Sequence, residues 1–364
     1  VASITKRTDG VWRARYRDEA GKEHARHFPR RVDAQRWLDE VTTSVVTGNY
    51  VDPKAGKITF EEHAEAWRKK QVHRPGTVEH VERSLRLHVY PVLGDRRLSG
   101  ILPSDIQALV KTMSQTLSPA TVGVVYRYTS TVFKSAVADR RIPSSPCAGV
   151  KLPKETPAKV VPLSTDVVVR LTEAVPQRYR AMVVLAAGTG MRQGEIFGLT
   201  TDRVDFLRRS LRVDRQLVST SGHEPTFGPP KTAASSRDIP LPTVVVEALA
   251  RHVELFPPGP EGLLFTGTEG QKLRRSAFGN VWRKTAKEAG VEGAVFHALR
   301  HFYASLLIRH GESVKTVQAR LGHANAAETL DTYSHLWPDS DDRTREAVDL
   351  VLGIPADSVR TGAK

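Results

Sequence analysis

The residues best suited to chemistry lie in the second half of the chain. Tyr333 stands ten residues after His323, which closes Leu321-Gly322-His323. Upstream of these come His297-Ala298-Leu299-Arg300-His301 and, earlier, Thr189-Gly190-Met191-Arg192-Gln193-Gly194-Glu195. Between the two lies Lys231, in Gly228-Pro229-Pro230-Lys231-Thr232. Cleaving a phosphodiester needs a nucleophile, charge stabilisation on the non-bridging oxygens and a proton for the departing oxygen. A tyrosine hydroxyl can attack; an arginine fork donates two parallel hydrogen bonds and keeps its charge; a lysine on a mobile hairpin can deliver a proton. Gly188-Thr189-Gly190 predicts a tight turn that feeds Arg192 to a helix N-terminus, itself attractive to phosphate. Arg300 follows His297 by three residues, which places both on one helical face. Tyr333 is expected on a helix beginning near Ala326, and a pocket of positive charge is expected to favour its phenolate.

His297 and His301, four apart, also have the spacing of zinc ligands on a helix. Ala298 stands where a zinc-protease helix needs glutamate, and Arg300 between the histidines would repel a cation. No metal site is therefore expected. His297 and His323 fit phosphate binding and proton transfer better, while His310 and His335 fit structural or exposed positions.

These groups must be positioned by the rest of a 364-residue chain, long enough for two or three domains. The fold class expected is multidomain, mainly α with small β elements. A net charge of +14 and a pI near 9.9 point to a polyanionic partner. Residues 1–52 read as a small sheet plus a helix. Val11 to Arg17 alternates as a strand with Arg13, Arg15 and Arg17 on one face, Asp18 to Lys22 turns, His24 to Phe28 returns, and a helix opens at Ala34. That arginine row is a candidate DNA contact, against the plainer reading of a solvated face on an oligomerisation module.

In a domain expected over 58–150, residues 58–141 are helical by period: a helix from Phe60 capped by Thr59, a second from Thr77 to Val89 ended by Pro91, a third capped by Ser104, and a long fourth from Thr121 to Ala138. Residues 151–163, rich in proline and lysine, read as an extended basic linker. A mixed domain over 164–340 carries short strands around Leu211–Val218 and Arg237–Leu241. In the tail, 341–364, Ala347, Val348, Val351 and Leu352 recur at helical spacing before Gly353 and Pro355 stop the helix. The single cysteine, Cys147, fits a reducing cytosol; the first residues lack the apolar core of a signal peptide, and the apolar run Ala181 to Gly188 is too short to span a bilayer. A cytoplasmic protein is expected.

In their order along the chain, the Arg192, Lys231, His297–Arg300, His323 and Tyr333 segments together resemble the tyrosine recombinase (phage integrase) family. The resemblance is strong over 160–340. Upstream, the helical segment looks like that family's core-site-binding domain, and residues 1–52 look like the arm-site-binding domain of integrases from temperate phages and integrative elements. The resemblance implies that Tyr333 forms a 3′-phosphotyrosyl link, that Arg192 and Arg300 clamp the scissile phosphate, and that Lys231 protonates the leaving 5′-oxygen. It implies further that His297 assists proton transfer, His323 holds the phosphate and Glu195 orients its catalytic neighbours. The covalent link conserves the phosphodiester energy, so neither cofactor nor metal is implied. Double-stranded DNA with core and arm sites, a homotetramer with exchanged C-terminal segments, a DNA-bending host factor and a directionality factor are the implied partners. Ala298 departs from the aspartate common in the histidine–arginine motif, at a position without a catalytic role. A chromosome-dimer resolvase, a type IB topoisomerase and an inactive DNA-binding protein are the competing readings.

Overall fold

The computed structural model describes residues 2–18, 21–46, 52, 55–155, 159–337 and 341–352. The chain divides into two compact units, Val1–Thr156 and Pro157–Lys364. The first opens with strands β1 (Ser3–Lys6), β2 (Trp12–Arg17) and β3 (Glu23–Phe28), an antiparallel sheet with β2 in the centre, followed by helix α1 (Arg31–Val46). β1 adds a strand to the expected hairpin. Alternation along β2 does what its sequence dictates: Ala14 and Tyr16 are buried, Tyr16 meeting Trp37 of α1 edge-on, and Arg13, Arg15 and Arg17 take the other face. Glu23 lies 3.8 Å from Arg13 and 3.7 Å from Arg15.

Helices α2 (Phe60–Lys70), α3 (Pro75–Ser84), α4 (Tyr90–Leu93), α5 (Pro103–Met113) and α6 (Pro119–Ala138) form a bundle whose core runs from Phe60 to Cys147, with Phe60, Leu85, Leu93 and Phe133 fully enclosed. Burying each such side chain contributes about 1.5–3 kcal/mol. Thr59 caps α2 as expected: its hydroxyl accepts from Glu62 N–H while the Glu62 carboxylate accepts from Thr59 N–H.

Two expectations fail here for local reasons. Pro91 does not end its helix. The backbone widens into a π turn over Leu85–Val89, with Tyr90 N–H donating to Leu85 carbonyl, and Pro91 falls in the first turn of α4, where no N–H is needed. Ser104 is not the cap of α5 either: Pro103 already lies inside the helix, and the Asp105 carboxylate takes the Leu102 N–H instead. Ser118 caps α6, which begins at Pro119, two residues before the expected Thr121.

The second unit contains α7 (Thr165–Ala174), α8 (Gln177–Thr189), α9 (Gln193–Phe197), β4 (Val204–Asp205), β5 (Ser210–Val213), β6 (Gln216–Val218), β7 (Thr226–Gly228), β8 (Arg237–Pro240), α10 (Thr243–Leu255), α11 (Arg275–Glu288), α12 (Ala298–Arg309), α13 (Val314–Leu321), α14 (Ala326–Tyr333) and α15 (Asp341–Leu352). β5 lies between β4 and β8, and β6 pairs with β7, all antiparallel. α8 is buried on most sides, packing on α7, α10 and α12. A smaller core of Tyr303, Ala304, Ile308, Val317, Leu321 and Tyr333 ties α12, α13 and α14 together. In α15, Val348, Val351 and Leu352 are exposed together with Leu350; the expected stop at Gly353 and Pro355 lies outside the described residues, as do residues 156–158 of the expected linker. Among the described residues no helix is long and apolar enough to cross a membrane.

Candidate active site

Two glycine-ended helices build the floor of the site. Gly190 ends α8 and Gly322 ends α13, each in the left-handed conformation (φ 64° and 65°) that glycine adopts without strain. Neither position has room for a side chain. A Cβ on Gly190 would stand 2.5 Å from the Tyr303 ring, and one on Gly322 would stand 3.0 Å from Ser235 Cα. The carbonyls at these helix ends receive the two arginines. Arg300 Nη1 donates to Gly190 carbonyl and Nη2 to Leu321 carbonyl, both at 2.7 Å. Arg192 Nη2 donates to Gly322 carbonyl at 3.1 Å, and its Nη1 donates to Ser235 Oγ at 3.0 Å. The segments recognised separately in the sequence are thus joined by the guanidinium groups themselves.

Glu195 occupies the third position of α9, where its carboxylate reaches back to the Arg192 backbone N–H at 3.0 Å. The same carboxylate accepts from Arg192 Nη1 at 3.1 Å and from Arg237 Nη2 at 3.0 Å. Burial works to raise the Glu195 pKa, but Arg237 and then Arg192 overcome it and hold the carboxyl below its ordinary range. Arg237, on β8, also donates from Nε to Arg320 carbonyl at 2.8 Å, so it links β8, α9 and α13.

Tyr333 ends α14 and is only 1% exposed. Its hydroxyl lies 2.8 Å from His301 Nδ1, and its ring stacks parallel to His323 at 6.4 Å between centroids. His323 Nδ1 bonds Thr329 Oγ1 at 2.8 Å, and its Nε2 stands 3.7 Å from Glu328. The helix carrying the tyrosine starts where expected, with Asn325 capping it through Glu328 N–H.

The expected stabilisation of the phenolate is not met at rest. Burial pushes Tyr333 up to about 12, outweighing the downward pull of Arg300 and Arg192. Burial, then the Arg192 charge, brings Arg300, 3% exposed, down to about 9, still protonated at neutral pH. His323 is held near 4 by burial and then by Arg300, and burial followed by Arg300 also lowers His301. His297, at the start of α12, exposes part of its surface along a cavity of about 610 Å³ shared with Gln193, Arg275 and Arg283. Protein crowding its remaining sides, with His301, Arg300, Arg192 and His323 adding positive charge, brings it to about 4.

The structure therefore gathers Arg192, Glu195, Arg300, His323 and Tyr333 directly, with His297 one ring contact away, edge-on to His301 at 4.9 Å. Lys231 is not brought into the cluster: it is exposed and makes no hydrogen bond or ion pair among the described residues. Its loop is moored nearby, since the adjacent Thr232 hydroxyl bonds Ser235 Oγ, the partner of Arg192. Arg13, Arg15 and Arg17 belong to the sheet of the first unit. Sequence reading missed His301 as the partner of Tyr333, having weighed it only as a metal ligand, and missed Arg237 and Ser235. The signal for Arg237 was its place in the strand that follows Lys231. Among the described residues no cluster of three or more His, Cys, Asp or Glu is arranged to hold a metal ion.

Two family models match this chain: the phage integrase family over residues 162–339 and the phage integrase central domain over residues 60–152. The chain belongs to the phage integrase family of tyrosine recombinases, enzymes of site-specific DNA recombination. It is similar to a prophage phiRv2 integrase of Mycobacterium tuberculosis, 29% identical over 347 residues that span 91% of this chain and 90% of that protein. In fold it is similar to the Tn1549 transposon integrase solved with transposon right end DNA (TM-score 0.67, 24% identity, 81% of this chain and 99% of that one). It is also similar in fold to lambda integrase solved as a tetramer on a Holliday junction (TM-score 0.60, 19% identity, 89% and 96%).

Proposed function

We propose that this recombinase is an integrase that inserts, and excises, phage or mobile-element DNA at attachment sites, with Tyr333 as the nucleophile that forms a 3′-phosphotyrosyl intermediate. The observation that carries the assignment of roles is the convergence of Arg192, Arg300 and His323 on Tyr333 from separate elements, stitched by hydrogen bonds through Gly190, Leu321 and Gly322. Arg192, with a 19% exposed side chain, offers the phosphate more surface than Arg300, whose charge acts from behind. Glu195 and Arg237 hold Arg192 in place. Lys231, on its exposed loop, protonates the 5′-oxygen once DNA draws the loop in, and His297 and His323 bind the phosphate and move protons.

In this reading residues 1–52 contact arm DNA through Arg13, Arg15 and Arg17, residues 58–150 contact the core site, and 151–163 join them to the catalytic domain, 164–340. The working form is a homotetramer on DNA, and the exposed apolar residues of α15, from Val348 to Leu352, dock on a neighbouring copy. A DNA-bending host factor and a directionality factor complete the reaction in the bacterial nucleoid. The chemistry requires no cofactor, because the phosphotyrosyl bond carries the energy for rejoining.

The test is to incubate the protein and Tyr333→Phe with labelled DNA flanking its own gene, in chelator, and to look for an SDS-resistant adduct. The expected result is an adduct with wild type alone and equal gel-shift binding by both. An adduct that survives Tyr333→Phe overturns the nucleophile assignment; specific binding without any adduct favours an inactive DNA-binding protein.

A further inference from the structure

A buried phenol must lose its proton to attack phosphorus, and with Tyr333 near 12 only about one molecule in 10⁵ is phenolate at neutral pH. The geometry points to His301 as the catalytic base that accepts the Tyr333 proton, a role distinct from that of His297. This rests on the reading of Tyr333 as nucleophile.

Among the described residues, His301 Nδ1 is the basic nitrogen within hydrogen-bond reach of the hydroxyl, at 2.8 Å. With Nδ1 accepting, the ring proton sits on Nε2. The other two histidines are turned to other tasks. His323 lies parallel to the phenol ring, 6.4 Å between centroids, and commits Nδ1 to Thr329, while His297 meets His301 edge-on and faces the cavity.

His297 and Arg300 lie on the same helix as His301. Arg300 and Arg192 pull the phenol toward ionisation and Glu328 of α14 opposes them. His323 stacks on the phenol from the α13–α14 connection, and His335, just beyond α14, turns its Nε2 to the Val160 carbonyl. Burial and Arg300 keep the His301 imidazole neutral at physiological pH, the form able to take a proton. α12 thus carries Arg300, whose charge acts on the phosphate from behind, and the base in adjacent positions, with His301 Nδ1 against the nucleophile's hydroxyl.

In the cleavage step the Tyr333 O–H bond breaks and its proton passes to His301 Nδ1. The Tyr333 Oη–P bond forms as the P–O5′ bond breaks, and the departing 5′-oxygen takes a proton from Lys231. Rejoining reverses each transfer: the incoming 5′-hydroxyl gives its proton to Lys231, and the departing phenolate recovers its own from His301.

The experiment uses the full chain on nicked attachment-site DNA that traps the covalent product, in single turnover from pH 5.5 to 9.5. His301→Phe should bind DNA as wild type does but cleave about 10²–10⁴-fold more slowly. Its rate should keep rising about tenfold per pH unit at high pH, as hydroxide replaces the imidazole, whereas the wild-type rate levels off. His301→Asn, able to accept the same hydrogen bond but not a proton, should remain slow. A 5′-bridging phosphorothiolate, whose sulfur leaves unprotonated, should rescue Lys231→Ala and leave His301→Phe slow. Cleavage by His301→Asn within about threefold of wild type, with the wild-type pH profile, would reduce His301 to a positioning role and overturn the proposal. Rescue of His301→Phe by the phosphorothiolate would overturn it too. If His301→Phe fails to bind DNA, the Asn variant decides. If wild type binds but forms no adduct, the nucleophile reading itself falls.

Discussion

Replacing Glu195 by glutamine should destabilise the second unit while leaving its shape almost unchanged. The carboxylate is enclosed and receives Arg237 Nη2 at 3.0 Å, Arg192 Nη1 at 3.1 Å and the Arg192 backbone N–H at 3.0 Å. Glutamine fills the same volume and can still accept from one arginine, but Arg192, Arg237 and nearby Arg300 are left without a counter-charge. Breaking one side of a buried ion pair costs about 3–5 kcal/mol; the retained acceptor places this case near the lower end, about 3 kcal/mol. A unit of this size loses about 2–4 °C of melting temperature per kcal/mol, so calorimetry on the full chain should find the corresponding transition lowered by about 6–12 °C. Adding Arg237→Gln to Glu195→Gln removes one stranded cation, so the double variant should cost less than the sum of the singles. A drop below about 3 °C for Glu195→Gln, or strict additivity in the double variant, would refute the argument that the carboxylate neutralises this group of arginines.

Changing Arg13, Arg15 or Arg17 to glutamine should lower the slope of log affinity against log salt for arm-site DNA by about one unit each. Glu23→Gln should tighten binding, since Glu23 competes for Arg13 and Arg15; unchanged slopes in titrations at several salt concentrations would remove DNA from that face. Stability should also fall with acid in a defined window. His323 titrates near 4 when folded against 6.5 for the free group, so the unfolded chain binds more protons between those values. Its contribution, on the order of 3 kcal/mol at most, is complete above pH 6.5 and drains as pH falls toward 4. His297 and His301 act with the same sign. Denaturant midpoints at pH 7.5, 6 and 4.5 should follow that course, less steeply in His323→Gln; a flat response would contradict it.

What the sequence disclosed about this molecule was what is encoded locally. The Thr59–Glu62 cap, the Arg-bearing face of β2, the start of α14 at Ala326 and the glycine turn ahead of Arg192 all depend on residues a few positions apart. The motifs that build the candidate site stood out for the same reason, each being a short run. Their cross-connections were not: His301 meets Tyr333 across 32 positions, and Glu195 meets Arg237 across 42, with nothing in either segment to announce the other. The rise in the Tyr333 pKa was hidden because residue types reveal nearby charge but not enclosure, and here enclosure wins. Pro91 misled because a π turn, invisible to a 3.6-residue pattern, moved the missing N–H to a place where it does no harm.

Arg300 spends both terminal nitrogens on the carbonyls that end α8 and α13, so a residue whose charge would act on the DNA phosphate from behind is also a rivet of the fold. A substitution there removes chemistry and architecture together, and lost activity in Arg300→Ala would say nothing by itself about charge. Tyr333, by contrast, gives one hydroxyl contact beyond its packing among the described residues, and phenylalanine would fill its place. Descendants of this protein freed from selection for recombination but still needed as DNA-bound scaffolds should therefore shed the tyrosine hydroxyl early and keep the arginine long after its original purpose is gone.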